Sequence, residues 1–208
     1  LEFRRVLFRS KSYPTALIDL NKSLANNNYL IEYMFDRPIV KTVVFPTGQN
    51  SISIDSPFNG VVPHKPVMFL VDQQAHNGAY DRNPNYFQHN AITNVIVDVN
   101  GNCVSNNRCA FPRECAQAYY KTLSALGMRN SSHLITRQNF TAGRTIFIID
   151  TRPTDSEDVI HLEKRANIRI TVNCEIAPTS NKILFLVGYT LGVIQINSAR
   201  RVFPNYLQ

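Results

Sequence analysis

The sequence predicts an all-β protein, a β-sandwich of two antiparallel sheets for which a jelly roll is one fitting topology, with a short N-terminal helix and one inserted connector helix. Three observations carry this expectation. At least seven strand-length segments rich in β-branched and aromatic residues recur between Gly, Pro and Asn turn signals. One of them, Asn167 to Cys174, alternates polar and apolar residues along its whole length, as a strand with one wet and one dry face must. A chain of 208 residues can bury one sizeable core, with little left for a second domain.

Taken in order, residues 15–28 place Leu17, Leu20 and Leu24 at helical spacing before an Asn cluster that stops a helix, giving a helical lead-in over 11–36. Ile39 to Phe45 is rich in β-branched residues and ends at Pro46 and Gly48, and Ser51 to Ile54 alternates with period two. Pro66 to Val71 and Asn94 to Val99 are near-continuous apolar runs, expected as interior strands, and the second closes at Asn100-Gly101, a tight-turn pair. The connector helix is expected from about Arg113 to Leu126. Ala116, Tyr119, Leu123 and Leu126 mark its buried face, and Gly127 takes the left-handed C-terminal position. Thr145 to Asp150, Asn167 to Cys174, Lys182 to Val187 and Gly192 to Asn197 complete the strands, with a polar loop through Pro153 to Glu157. Shared dry faces predict one core from Val43, Phe69, Val71, Val95, Val97, Ile146, Ile148, Ile170, Val172, Leu184 and Leu186.

Composition excludes more than it assigns. No apolar run approaches the ~20 residues that span a bilayer, so no membrane insertion is expected. The basic residues are scattered, as on a solvated surface, and no specific nucleic-acid reading is expected. Cys103, Cys109, Cys115 and Cys174 are few for the length and lack Cys-x-x-Cys knuckles, which argues against both a stapled scaffold and a zinc site. Cys174 lies in phase with Ile168, Ile170 and Val172 and is expected as a buried thiol. Three Asn-x-Ser/Thr sequons, at Asn21, Asn130 and Asn139, read as chance in an Asn-rich chain.

The groupings that catalysis needs are missing: there is no Gly-x-Ser-x-Gly elbow, phosphate-binding glycine loop or His-Glu-x-x-His. His161-Leu162-Glu163 mimics half of a zinc deaminase signature, but no Pro-Cys-x-x-Cys follows. His64, His76, His89, His133 and His161 are dispersed over predicted loops instead of clustering on strands as a metal-binding jelly roll would require. The expectation is therefore no enzyme, with no catalytic, cofactor-binding or metal residue and no cofactor. In the segment from Val71 to Phe87, Tyr80, Tyr86 and Phe87 could form a stacking platform for a sugar or base. Packing of a long turn against the sandwich is the favoured reading, and Tyr119-Tyr120 is read as helix-to-sheet packing.

The Val71-Asp72, Asn77-Gly78-x-Tyr80, Asn83-Pro84-x-x-Phe87 segment resembles one in the major capsid proteins of polinton and adintovirus-like elements. The resemblance extends in order from Lys41-Thr42 and Pro46-x-Gly48, through Phe58-Asn59-Gly60, to Asn94–Gly101. It resumes at Phe140-x-x-Gly143, 146–153, Asn167–Asn173 and Ile194-x-Ile196-x-x-x-Arg200. It selects the jelly roll among β-sandwiches, which strand pattern alone leaves open. It implies a hexon-like double jelly-roll shell protein of the virion, of which residues 37–208 would be the second roll. Self-association into trimeric pseudo-hexagonal capsomers is implied, with contacts to neighbouring capsomers and to minor capsid or penton proteins. The chain departs from the family pattern at Cys103 to Cys109, where a longer Pro- and Gln-containing stretch is expected. A stand-alone carbohydrate- or receptor-binding β-sandwich is the alternative.

Residues 1–10, Leu-Glu-Phe-Arg-Arg-Val-Leu-Phe-Arg-Ser, resemble the translated read-through of a sequencing adapter and are set aside as non-native, with the native start expected upstream. Without Arg4, Arg5, Arg9 and Glu2 the chain holds 19 basic and 14 acidic residues, a surplus of +5 in place of +7.

Overall fold

A computed structural model describes residues 14–25, 31–111, 113–126, 128, 135–152, 164–197, 199 and 201–205. In chain order the elements are α1 (Pro14–Ala25), β1 (Ile31–Phe45), β2 (Ser51–Asp55), β3 (Val61–Val62), β4 (Lys65–Asp72), α2 (Gln73–His76), β5 (Ile92–Val99) and β6 (Asn102–Arg108). There follow α3 (Ala116–Ala125), α4 (Arg137–Thr141), β7 (Phe147–Ile148), β8 (Lys164–Arg165), β9 (Ile168–Cys174), β10 (Lys182–Ile196) and β11 (Val202–Asn205). The adapter-like residues 1–10, Gly127, the Asn130 sequon, His133 and His161-Leu162-Glu163 lie outside the described residues, as do the side chains of Leu17, Leu20 and Leu24.

Two compact units divide the chain, one of residues 36–191 and one drawn from 1–35 and 192–208. In the larger unit, one sheet has the order β1-β10-β4-β7 and the other β2-β9-β5-β6. Numbered along the chain, these eight strands pair first with eighth, second with seventh, third with sixth and fourth with fifth. A long hairpin bent at the β5/β6 turn and then rolled up gives this pattern, which is the jelly roll. The β5/β6 bend is the turn the sequence predicts: Asn100 and Gly101 have φ of 51° and 80°, the positive pair of a two-residue hairpin. In the smaller unit, β11 adds antiparallel to the end of β10, Val193 facing Asn205 and Ile196 facing Val202. There Gln195 Nε2 donates to Glu32 Oε1 at 2.7 Å.

The core lies between the two sheets. Phe45, Met68, Leu70, Phe147, Leu184 and Leu186 face Ile92, Val95, Val97, Val99, Ile168, Ile170, Val172 and Cys174. Each such side chain contributes roughly 1.5–3 kcal/mol by leaving water. The register of β9 is as the alternation predicts: Ile168, Ile170, Val172 and Cys174 are buried and Arg169 is exposed. Val95, Val97, Leu184 and Leu186 also stand where expected.

Two phases are corrected. In β4 the core takes Met68 and Leu70, with Phe69 and Val71 on the opposite face; near β7 it takes Phe147 and Ile149 in place of Ile146 and Ile148. The reason is that both faces of β4 are covered. Phe69 stacks on Phe185 of β10 with ring centroids 5.1 Å apart and meets Phe87 at 4.6 Å. An apolar run covered on both sides carries no phase information. Val43 is in phase with Phe45 but only half-buried, because β1 is a sheet edge.

Other elements differ from expectation. Lys182–Ile196 is one strand, not two: Gly188 and Gly192 are not turns but places where a ring lies against the backbone. A Cβ on Gly188 would stand 2.7 Å from Phe58, and one on Gly192 2.6 Å from Phe35. The expected connector helix is α3, with Leu123 buried and Tyr119 packed on the core. Its buried face is otherwise Ala118, Thr122 and Ala125, while Ala116 and Leu126 are exposed. Short helical turns α2 and α4 accompany it.

Candidate functional site

The segment after β4 is a loop tied down at several points. β4 ends at Asp72, whose carboxylate caps α2 by accepting from the Gln74 N–H at 2.9 Å. The other carboxylate oxygen receives the Lys182 ammonium at 2.8 Å and the Ser180 hydroxyl at 3.1 Å, both from the β9–β10 connection and the start of β10. Arg82 closes over it at 3.2 Å. Burial alone would raise the Asp72 carboxyl, but the Lys182, Gln74 and Ser180 hydrogen bonds and the Lys182 charge outweigh it and hold the pKa at about 2. Asp72 is thus ionised near neutral pH, an anchor and not a proton donor or acceptor there.

From this anchor the chain runs out and returns through Phe87, whose N–H donates to Gly143 O at 2.8 Å while Thr145 N–H donates back to Phe87 O at 3.1 Å. Phe87 packs on Phe69, and His76 meets Phe185 edge-on at 5.5 Å. Tyr86 lies so close over Gly143 that a Cβ there would overlap its ring. The packing reading of this loop therefore holds for Phe87, and for Tyr86 only where its ring covers Gly143, the side chain being otherwise exposed. It fails for Tyr80, which is fully exposed at the loop tip. Phe87 is taken up by Phe69 and Tyr86 by Gly143, which leaves Tyr80 as the loop's fully exposed ring. Tyr119 packs between α3 and the core, its hydroxyl donating to Ile135 O at 2.9 Å, whereas Tyr120 is exposed.

The described histidines remain apart. His64 sits 3.4 Å from Asp36, and burial lowers its pKa despite that carboxylate; His89 stacks on Phe111 at 4.8 Å and is lowered by burial. Among the described residues no group of three or more His, Cys, Asp or Glu could hold a metal ion. Cys174 is buried as expected, which pushes its thiol up to about 11. Arg152 pairs with Asp150 in a part-buried bridge, its Nε donating at 2.9 Å.

Sequence reasoning missed an open cleft of about 670 Å³ beside the start of α3, lined by Thr93, Asn94, Arg108, Arg113, Glu114 and Arg137. Arg137 donates to Arg113 O at 2.9 Å. Residues as far apart in the chain as Thr93 and Arg137 meet only when β5, β6, α3 and α4 are folded, so no local motif signals this cleft. No helix among the described residues is long and apolar enough to cross a membrane.

No family model matches the chain, and no curated protein matches it. Solved structures do. PBCV-1 VP54, fitted into a reconstruction of the virophage Sputnik, aligns with TM-score 0.49 and 10% identity over 87% of this chain and 52% of that one. A quasi-atomic model of the PBCV-1 virus capsid aligns with TM-score 0.42 and 10% identity over 86% of this chain and 52% of that one. The mavirus major capsid protein aligns with TM-score 0.39 and 11% identity over 84% of this chain and 41% of that one. The chain thus spans about half the length of the structures it matches.

Proposed function

We propose that this chain is a structural protein of the virion, the second roll of a double jelly-roll, hexon-like major capsid subunit that forms trimeric pseudo-hexagonal capsomers. The observation that carries the reading is one of placement. The ordered sequence segments that resemble polinton and adintovirus-like capsid proteins fall on the strands and turns of a rolled hairpin whose pairing is that of a jelly roll. The Asp72 anchor supports it as well: in the segment that carries the resemblance most densely, Asp72 and Arg82 are paired and Asp72 also holds Lys182, so these charges tie the loop down. Such a protein works by burying surface against neighbouring subunits and capsomers, and against minor capsid or penton proteins, with no cofactor.

The test is assembly. A chain carrying an upstream jelly roll joined to this one is expected to form stable trimers that persist at high salt, because an obligate interface of roughly 2,000 Å² or more is dominated by apolar contacts. A monodisperse monomer at micromolar concentration in light scattering, at low and at high salt, overturns the reading and favours the carbohydrate- or receptor-binding sandwich.

A further inference from the structure

We propose that Cys109 and Cys115 are a disulfide-forming pair, the site of an intrachain cross-link that closes the hairpin leading into α3. The backbone supplies the first argument. Ala110 N–H donates to Glu114 O at 2.9 Å and Glu114 N–H donates to Ala110 O at 2.7 Å, so these two residues form a hydrogen-bonded antiparallel pair. Cys109 and Cys115 flank that pair on the side away from the turn. The isolated bridge stops at Ala110 and Glu114, and Cys115, at φ −111° and ψ 5°, already turns into α3. A ladder extended by one rung would make the two cysteines a non-hydrogen-bonded pair, whose facing Cα atoms stand about 4.5 Å apart. A disulfide needs Cα atoms roughly 4.4–6.8 Å apart, a range within reach of two residues that flank such a hydrogen-bonded pair.

Burial supplies the second argument independently. Ala110 and Glu114 are exposed, whereas Cys109 and Cys115 are buried and belong to one core cluster. The alternation places both thiols on the same, inner side of the hairpin. The other two cysteines have no such partner position: Cys103 is exposed on β6, and Cys174 faces Ile92 across the β5/β9 ladder. In the structure all four are thiols.

The chemistry is a two-electron exchange with a small external disulfide such as oxidised glutathione. One cysteine thiolate attacks it, releasing one glutathione thiolate and forming a mixed disulfide. The second cysteine thiolate then displaces the remaining glutathione, so that two protein thiols are oxidised and one glutathione disulfide is reduced to two thiols. Burial pushes the Cys109 thiol up to about 12, so the exchange belongs to the open hairpin, during folding or local opening. Once closed, the bridge fixes the entry to α3 at Cys115, which caps that helix without a side-chain hydrogen bond.

The experiment is refolding of the 208-residue chain in a buffer of reduced and oxidised glutathione, acid quenching, alkylation and non-reducing peptide mapping. The expected result is a single bridge between the Cys109 and Cys115 peptides, with the free-thiol count falling from four to two and Cys103 and Cys174 alkylated. Cys103→Ser should keep the bridge and Cys115→Ser should abolish it. Alkylation of all four thiols in a chain with a native urea transition, or a bridge from Cys109 to Cys103 or Cys174, overturns the proposal. The Cys103→Ser and unsubstituted maps decide it even if Cys115→Ser fails to fold.

Discussion

Asp72 shows how one residue serves sequence, fold and loop at once. It ends β4, caps α2 and accepts from Lys182 and Ser180, 110 and 108 positions away in the chain. A carboxylate whose folded pKa is depressed contributes stability that is present above its unfolded value, near 4, and is lost as pH falls through the folded value. With the folded value at about 2, that contribution is about 2 kcal/mol and should disappear between roughly pH 4 and pH 2. Asp72→Asn should therefore lower stability near neutral pH by about that amount and flatten the acid limb, as read by urea denaturation across this range. An unchanged acid limb would show that the anchor contributes nothing. Gly188 makes a sharper steric case, since a methyl there would stand 2.7 Å from the Phe58 ring and 2.9 Å from Pro63. Gly188→Ala should cost on the order of 1–3 kcal/mol in thermal or urea unfolding.

At the scale of elements, legibility followed one-sidedness. β9 could be read to the residue because one face is wet, so Arg169 and Ile170 separate by polarity alone. Ile170→Ala should cost about 2–5 kcal/mol, whereas Val104→Ala on exposed β6 should cost less than about 1 kcal/mol, in the same unfolding assay. β4 is covered on both faces and gave its position but not its phase. β6, Asn-Cys-Val-Ser-Asn-Asn-Arg, has little strand propensity; its tertiary partner β5 imposes its pairing, Val95 opposite Asn107 and Val99 opposite Asn102. The turn that enforces it can be tested. Replacing Asn100-Gly101 with Ala-Ala adds a Cβ at the positive φ of Gly101 and removes the Asn that tolerates it at position 100, which should cost roughly 1–2 kcal/mol and shift the transition midpoint accordingly. The segment from Val71 to Phe87 was visible as a strand end and a long turn, but its anchor was not, since nothing local to Asp72 announces Lys182. The arginine cleft escaped for the same reason.

For the molecule as a whole, the rolled hairpin dictates the order in which it can be built. β5 and β6 meet across a two-residue turn, whereas β2 joins β9 with Ser51 opposite Asn173, and β4 joins β10 with Asp72 opposite Lys182. Closing such long loops costs chain entropy before any contact offsets it, and topologies dominated by distant pairings fold on a scale of about milliseconds to seconds. The cheapest nucleus is the β5/β6 hairpin, joined next by β9, because that ladder can form before the outer strands have found each other. Stopped-flow kinetics should then show Val97→Ala slowing refolding and Phe45→Ala mainly hastening unfolding. The reverse pattern would place the nucleus at the outer strands. Until those strands arrive, the inward faces of β5 and β9 stand open to solvent and to other nascent chains, so yield on refolding should fall steeply as protein concentration rises.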